Sequence, residues 1–332
     1  MKSRDFWRYT VGIGAAAALL AGCGVLPLSL SKGQDDMQPP IGEPGKIPQG
    51  RVVATHADRG KSWMRPEARG EDLLYASSLP YSVYVYTYPK GKLVGFLSGF
   101  SPRGLCSNEN GDVFVASGYD VYEYPHGRAK PIALLADQYP QGCSVDPTTG
   151  DLAVVNQYHV AVFPPKHRDR WGIPRTYQPG GILSYCAYDG TGNLFVDAYR
   201  SDGWVLWELP NGWKRFKTIA LNQSIGEAGN IQWDGTYLAM ADEDASTIYQ
   251  FAISGSTGTE VGATQLNGTN DIGQFWIQGG TVVVPDDGTG TLGFWSYPGG
   301  GSAKKKISLS LAYGATVSLA RDSSELKGLH SK

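Results

Sequence analysis

Short apolar runs recur along the chain at a nearly constant spacing, separated by segments rich in glycine, proline, asparagine and aspartate. Six closely similar runs follow one another at steps of 39, 39, 42, 44 and 44 residues and begin at Leu74, Val113, Leu152, Leu194, Leu238 and Val282. Each is followed by a second apolar run, and five of these six second runs end in proline. Short β-branched and aromatic runs bounded by turn residues predict strands rather than helices.

The repeating unit is about 40 residues long and has room for four strands. Strands that precede the runs described above begin at Leu105, Cys143, Tyr185, Ile231 and Phe275, and strands that close a unit fit at residues 93–97 and 131–135. A repeat of about 40 residues with four strands is typical of a β-propeller blade. The sequence therefore predicts an all-β fold, a six-bladed β-propeller. A β-sandwich and an open β-solenoid are the alternatives.

The two ends of the predicted propeller complement each other. The unit at Leu74 lacks a first strand of its own, whereas residues 315–320 form a first strand without a successor. We therefore expect the C-terminal strand to complete the first blade and close the ring. Closure would protect sheet edges that otherwise invite aggregation.

The N-terminal segment combines a positive start with an apolar core. Lys2, Arg4 and Arg8 precede the apolar residues 11–21, which have the length of a signal-peptide core. The following LAGC motif, ending at Cys23, resembles the lipobox of bacterial lipoproteins. This resemblance implies that Cys23 is lipidated and tethers the protein to a membrane of the bacterial cell envelope, outside the cytoplasm. In a bacterium with two membranes the resemblance favours the outer one, because Gly24 and not an aspartate follows the cysteine, so the expected location is its periplasmic face or the cell surface. A transmembrane anchor over the uncharged residues 10–31 is the alternative.

These features divide the chain into four predicted segments. Residues 1–22 are the signal peptide, residues 23–51 the lipidated cysteine and a flexible linker, residues 52–320 the propeller, and residues 321–332 a polar tail. The linker is rich in proline, glycine and charge and has little to bury.

Composition narrows the range of partners. The 44 glycines and 20 prolines suit a turn-rich chain, and the 19 tyrosines supply a large aromatic content. The net charge of −2 and the lack of a long basic stripe in the sequence argue against nucleic acid as a partner. We expect a monomer whose partners are the membrane, through the lipid anchor, and an envelope protein or glycan.

Three cysteines fall at nearly equivalent places. Cys106, Cys143 and Cys186 each lie on a predicted first strand, next to the central channel. We expect them to pack as small apolar residues, because first strands of different blades are usually too far apart for a disulfide. A disulfide and a metal-binding or reactive thiol are the alternatives, although no pair has the close spacing of a zinc site.

The loops between second and third strands form the expected ligand-binding face. Four of them carry a tyrosine and the last two carry acidic residues, which gives the candidate ligand-binding residues Tyr81, Tyr119, Tyr158, Tyr199, Asp242 and Asp286. Aromatic side chains with flanking carboxylates suit a sugar, a peptidoglycan fragment or a basic peptide. Ordinary turn chemistry is the alternative for the aspartates. No cofactor is predicted, although the DDG sequence that begins at Asp286 could supply oxygen ligands to calcium.

Two stretches resemble a known repeat family. The segment PQGCSVD at 140–146 with the following GDL, and the segment YDGTGNLFV at 188–196, are similar to the blades of NHL-type six-bladed propellers. The chain as a whole resembles uncharacterised propeller lipoproteins of bacteria, over residues 71–320. This resemblance implies the fold and says little about function, because propellers host many activities.

The same resemblance raises the question of catalysis. Glu227, Asn230, Asn270 and Asp271 are of the types that hold a divalent metal in propeller lactonases, but they cluster in adjacent blades. Of the five histidines only His159 lies on the expected face, too few for a three-histidine zinc site. We therefore expect a non-catalytic module that binds an envelope glycan, peptide or protein. The alternative is a metal-dependent lactonase or hydrolase.

Overall fold

The computed structural model describes residues 61–321. The predicted signal peptide, the lipidation site Cys23, the linker and residues 322–332 of the tail lie outside the described residues. Within residues 61–321 no helix is long and apolar enough to span a membrane. The helical structure assigned in this part of the chain is a single 3₁₀ turn, Pro66–Gly70.

Antiparallel pairing divides the strands of residues 61–321 into six groups, a number compatible with six blades. The strands of each blade are given from the inside outward. Blade 1 comprises Ala312–Ser318, Leu73–Ser78, Ser82–Thr87, Leu93–Ser98 and the short strand Trp63–Met64. Blade 2 comprises Pro102–Ser107, Val113–Ser117, Asp120–Tyr124 and Ala133–Ala136, and blade 3 comprises Gly142–Val145, Leu152–Val155, Val160–Phe163 and Arg175–Tyr177. Blade 4 comprises Ile182–Tyr188, Leu194–Arg200, Gly203–Leu209 and Lys217–Leu221; blade 5 comprises Ala228–Trp233, Leu238–Asp242, Thr247–Ser254 and Thr257–Asn267; blade 6 comprises Trp276–Gln278, Thr281–Asp286, Thr291–Ser296 and Gly300–Ser308.

The C-terminal strand closes the first blade, as predicted. Ala312–Ser318 pairs antiparallel with Leu73–Ser78, so that Val317 lies opposite Leu74. The second strands begin within one residue of the predicted positions in all six groups. The all-β propeller prediction is thereby confirmed.

Burial on both faces of each blade explains why the apolar runs are continuous. Leu73 and Tyr75 pack against Leu105 and Val113 of blade 2. The alternate residue Leu74 packs on the other side, in a cluster with residues of blade 6. Because successive side chains of a strand point to opposite faces, a strand that lies between two blades needs apolar residues at every position.

Hydrogen bonds between blades connect the inner strands around the central channel. Gly104 N donates to Gln141 O at 2.8 Å, between blades 2 and 3. Gln274 N donates to Tyr313 O at 2.8 Å, between blades 6 and 1. These bonds pair backbone groups at positions where strand pairing within a blade is interrupted.

The structure corrects the expectation for the cysteines. Cys106 and Cys143 form a disulfide between the inner strands of blades 2 and 3, with their Cα atoms 5.6 Å apart. The expectation of simple packing was wrong for this pair because adjacent inner strands converge towards the channel, within the reach of a disulfide. Cys186 is a buried free thiol, and burial raises its pKa.

Candidate functional site

The four predicted tyrosines lie on the face formed by the loops between second and third strands, called the loop face below. Tyr81, Tyr119 and Tyr199 are exposed, and Tyr158 is the most exposed of the four at 71%. None of the four belongs to the buried apolar clusters of the propeller. The structure therefore leaves them available at the surface, and their role in binding stays a prediction.

Tyr119 forms a pair with Tyr139, a residue that the loop pattern of the sequence did not predict. Tyr139, in the segment that leads into blade 3, has its ring centroid 4.6 Å from that of Tyr119, and the two hydroxyls are hydrogen-bonded. This hydrogen bond raises the pKa of Tyr119. Together with Tyr158 these residues form what we call the tyrosine patch, Tyr119, Tyr139 and Tyr158. The missed signal was the position of Tyr139 immediately before the PQG sequence of the repeat.

A polar network holds the loop of Tyr158 in place. Asn156 Oδ1 accepts hydrogen bonds from the backbone N–H groups of Tyr158 at 2.8 Å and His159 at 2.9 Å. His159 Nε2 lies 2.8 Å from Oδ1 of Asp137, whose pKa is raised by burial. A side-chain acceptor that satisfies two loop N–H groups restricts the loop to one conformation. The loop that carries the exposed Tyr158 is thus held in one conformation.

The two predicted acidic residues are not part of the surface. Asp242 is only 4% exposed, and its carboxylate accepts hydrogen bonds from Gly226 N at 3.0 Å and Ala245 N at 3.3 Å. Asp286 is fully buried and accepts from Thr289 N at 3.0 Å. Both carboxylates accept hydrogen bonds from backbone N–H groups of the loops around them. The alternative given in the sequence analysis, that these aspartates stabilise turns, therefore describes them better than ligand binding.

The acidic surface beside them comes from neighbouring residues instead. Glu227, Glu243, Asp244 and Asp271 surround the loop after the second strand of blade 5, and the pKa of Glu243 is raised to about 9 by burial and by these charges. A Cβ atom on Gly229 would lie 3.4 Å from Glu243 Oε1, so Glu243 rests on the inner strand of blade 5. Among residues 61–321 no group of three acidic, histidine or cysteine side chains has the geometry of a metal site.

Two of the lactonase-type residues make structural contacts. Asn230 donates its side-chain amide to Phe275 O at 2.9 Å, which joins blade 5 to blade 6. Asn270 donates its backbone N–H to Asp286 Oδ1 at 3.4 Å. Glu227 and Asp271 belong to the acidic surface described above.

A glutamine side chain connects blades 6 and 2 at the central channel, and we call this connection the brace. Gln274 of blade 6 donates from Nε2 to Leu105 O at 2.7 Å and accepts at Oε1 from Leu105 N at 2.6 Å, although blade 1 separates the two blades. Gly314 of blade 1 makes room for this side chain, because a Cβ atom there would lie 2.7 Å from Gln274 Oε1. The brace satisfies the amide of Gln274 and both backbone groups of Leu105.

Strand irregularities place polar side chains at the loop-face end of the channel. The pairing register shifts around Arg103 in blade 2, around Tyr185 in blade 4 and around Tyr313 in blade 1. Arg103 Nη1 donates to Gln141 Oε1 at 2.9 Å. Burial raises the pKa of Tyr185, which is also hydrogen-bonded to Tyr313. Bulges often re-aim side chains at functional sites.

The opposite end of the channel opens into a cavity of about 680 Å³. Its walls include the aromatic residues Tyr188, Trp233 and Trp276. The glutamine Gln232 in its wall is engaged by backbone groups, since it donates to Ile277 O at 3.2 Å and accepts from Ile277 N at 2.7 Å. The volume is that of a small-molecule site, but Gln232, Asn230 and Gln274 have their amides committed to holding blades together.

Strand order, channel and loop face together define a β-propeller protein. Its structure is similar to a crystal structure of a nidogen–laminin complex, with a TM-score of 0.61, 13% identity and coverage of 76% of this chain and 99% of that chain. It is also similar to a protein of unknown function from Bacteroides caccae, with a TM-score of 0.57, 10% identity and coverage of 74% and 98%. A functionally unknown protein from Desulfotomaculum acetoxidans matches with a TM-score of 0.52, 12% identity and coverage of 77% and 88%.

These similarities support the fold and nothing finer. No family model matches the sequence, and the comparison with curated proteins found no match. At identities of 10 to 13% the shared architecture carries no information on ligand or activity. The NHL resemblance therefore stays a prediction.

Proposed function

We propose that the protein is a membrane-tethered binding or scaffold module of the cell envelope, which recognises a glycan, peptide or protein through the loop face. The observation that carries this proposal is the tyrosine patch. Tyr119 and Tyr139 are in ring contact, and Tyr158 stands 71% exposed above the network of Asn156, His159 and Asp137. Exposed aromatic residues on rigid loops bind partners with little loss of conformational entropy.

The chemistry of the loop face favours a ligand with apolar faces and hydroxyl or cationic groups. The tyrosine rings offer flat apolar contact together with hydroxyl groups, as sugar rings and peptide side chains require. The acidic surface of Glu227, Asp244 and Asp271 adds negative charge on the side of blades 5 and 6. A glycan with amino groups or a basic peptide meets both requirements.

The Cys106–Cys143 disulfide supports an extracytoplasmic location. Disulfides persist in oxidising compartments and are rare in the reducing cytoplasm. This agrees with lipidation at Cys23, which would attach the protein to the membrane from outside the cytoplasm. Mass spectrometry of the mature protein would detect the acyl chains on Cys23. A Cys23→Ser protein that still fractionates with membranes would contradict the lipid anchor.

The test of ligand recognition removes two of the three tyrosines of the patch without changing a core residue. The full-length protein, solubilised in neutral detergent, is titrated with soluble peptidoglycan fragments and with lysine-rich peptides. The Tyr119→Ala, Tyr158→Ala double variant is expected to lose at least about tenfold in affinity, because hot-spot tyrosines contribute on the order of 2 kcal/mol each.

The matched control is Trp213→Ala. Trp213 is an exposed aromatic residue in the connection between the third and outer strands of blade 4, at the edge of the blade opposite the loop face. It is expected to leave affinity unchanged. Equal binding by the double variant, the control and the wild type would overturn the proposal.

A further inference from the structure

A basic pocket lies away from the loop face, between blades 1 and 2. Its volume is about 380 Å³, and its walls carry four positive side chains, Arg65, Arg69, Arg128 and Lys130. Arg65 immediately precedes the 3₁₀ turn Pro66–Gly70, and Arg69 lies within it. Arg128 and Lys130 follow the third strand of blade 2. Two separate segments of the chain thus contribute two positive charges each.

The two segments are held together by tight packing. Gly127 has a φ of +60°, and a Cβ atom there would lie 2.8 Å from Ala68 O. Only glycine fits such a close approach in this conformation. Ala68 is fully buried between the segments, and Gly127 N donates to the buried Tyr75 hydroxyl at 3.2 Å. The backbone that carries the four positive side chains is therefore part of the rigid propeller.

The walls of this pocket contain no acidic residue among those that the structure describes. Within residues 61–321 Arg69, Arg128 and Lys130 form no ion pair with a carboxylate. Arg65 reaches Glu67 at 3.9 Å, and Glu67 is shared with Lys92 at 3.6 Å. Such exposed, long pairs leave most of the arginine's hydrogen-bonding capacity unused. In a chain of net charge −2, four positive groups around one concave site require an explanation.

We propose that this basic pocket binds a phosphate group, carried either by a phospholipid headgroup or by a soluble phosphorylated molecule. Arginine guanidinium groups match phosphate oxygens with paired N–H donors, and Lys130 adds a point charge. The pocket is large enough for a phosphate and part of its ester. Because it lies between blades 1 and 2 and shares no residue with the tyrosine patch, this site is independent of the proposed function of the loop face.

The test measures binding of two probes to the full-length protein in neutral-detergent micelles. One arm titrates inorganic phosphate by calorimetry at low salt. The other arm adds phosphatidylglycerol to the micelles, with phosphatidylcholine for comparison, and follows the shift of the unfolding temperature. Phosphatidylglycerol binding without phosphate binding identifies a lipid headgroup as the ligand. Phosphate binding without a lipid preference identifies a soluble ligand.

The decisive variant is Arg69→Ala with Arg128→Ala. Both side chains are exposed, so the fold is expected to survive, which the unfolding temperature without ligand verifies. The double variant is expected to bind whichever probe the wild type binds at least about tenfold more weakly, and this binding should lose much of its salt dependence. The control Lys214→Ala with Arg215→Ala removes the same charge from an exposed connection in blade 4 and is expected to bind like the wild type. The proposal is overturned if neither probe binds or if the two double variants bind equally.

Discussion

The loop face has two layers of polar and aromatic residues with opposite relations to the fold. The lower layer consists of buried groups such as Asp242, Asp286 and Gln274, whose side chains are hydrogen-bonded to the backbone. The upper layer is the tyrosine patch, which stands exposed above the loops. The sequence places the tyrosines and the two aspartates in equivalent loops of different blades, so position in the repeat alone does not distinguish buried from exposed residues. A residue belongs to the lower layer when its side chain is the hydrogen-bond partner of a buried backbone group, and to the upper layer when no buried backbone group needs it.

Buried backbone donors explain the lower layer. An unpaired N–H in the interior is costly, so loops that bury their amides recruit carboxylates and amide side chains as acceptors. The tyrosines of the upper layer satisfy no such requirement. Maintaining the fold does not require an aromatic residue at Tyr158, and its role in ligand binding remains a proposal.

Removing a carboxylate from the lower layer should have the largest effect on stability. Asp242→Ala leaves the N–H groups of Gly226 and Ala245 without their acceptor, and we expect the free energy of unfolding to fall by about 2–4 kcal/mol. Chemical denaturation measures this loss. The exposed neighbour Asp244 provides the control, since Asp244→Ala is expected to change stability by less than about 0.5 kcal/mol. If Asp242→Ala folds as stably as the wild type but loses ligand, Asp242 belongs to the binding surface after all.

Cutting the channel brace should have the next largest effect. Gln274→Ala leaves both backbone groups of Leu105 unpaired, and we expect a loss of about 1–3 kcal/mol. Thermal unfolding monitored by circular dichroism provides the measurement. Gln278→Ala, which changes a glutamine of the same blade closer to the cavity mouth, serves as the matched control. Equal melting of the two variants would show that the brace contributes nothing to holding the blades together.

Glu243, which follows the buried Asp242 in the chain, makes stability depend on pH. Its pKa is raised from 4.5 to about 9, so the folded state holds a proton that the unfolded state releases above pH 4.5. Stability is therefore expected to fall as pH rises from about 5 to 9. Glu243→Gln keeps the shape and removes this titration. The decline in unfolding free energy over this range should be smaller in the variant, and an identical decline would show that Glu243 is ionised in the folded protein at neutral pH.

The smallest effect on stability is expected in the upper layer. Tyr158→Ala should change the free energy of unfolding by no more than about 0.5 kcal/mol, because the side chain is 71% exposed. The same variant should weaken ligand binding, as described for the double variant. The comparison of the layers fails if Tyr158→Ala destabilises the protein as strongly as Asp242→Ala.

Local sequence patterns were sufficient for the repeating architecture. The second strands at Val113, Leu152, Leu194 and Leu238 begin where the apolar runs predict, because burial against blades on both sides requires continuous apolar residues. The closure of blade 1 followed from a missing strand at one end and a surplus strand at the other. Both inferences depend on information that lies within a single repeat or at the chain ends.

The same local sequence patterns could not predict contacts between blades. The Cys106–Cys143 disulfide, the Tyr119–Tyr139 pair and the brace from Gln274 to Leu105 join residues of different repeats. Whether such residues meet depends on how closely the inner strands converge at the channel. The sequence by itself determined the strands, their period and the closing strand, since these follow from burial and turn chemistry along the chain. Only the tertiary structure decided which side chains of the loop face are buried acceptors and which are exposed, because the folded loops determine which backbone N–H groups, such as those of Gly226 and Thr289, are buried next to a carboxylate.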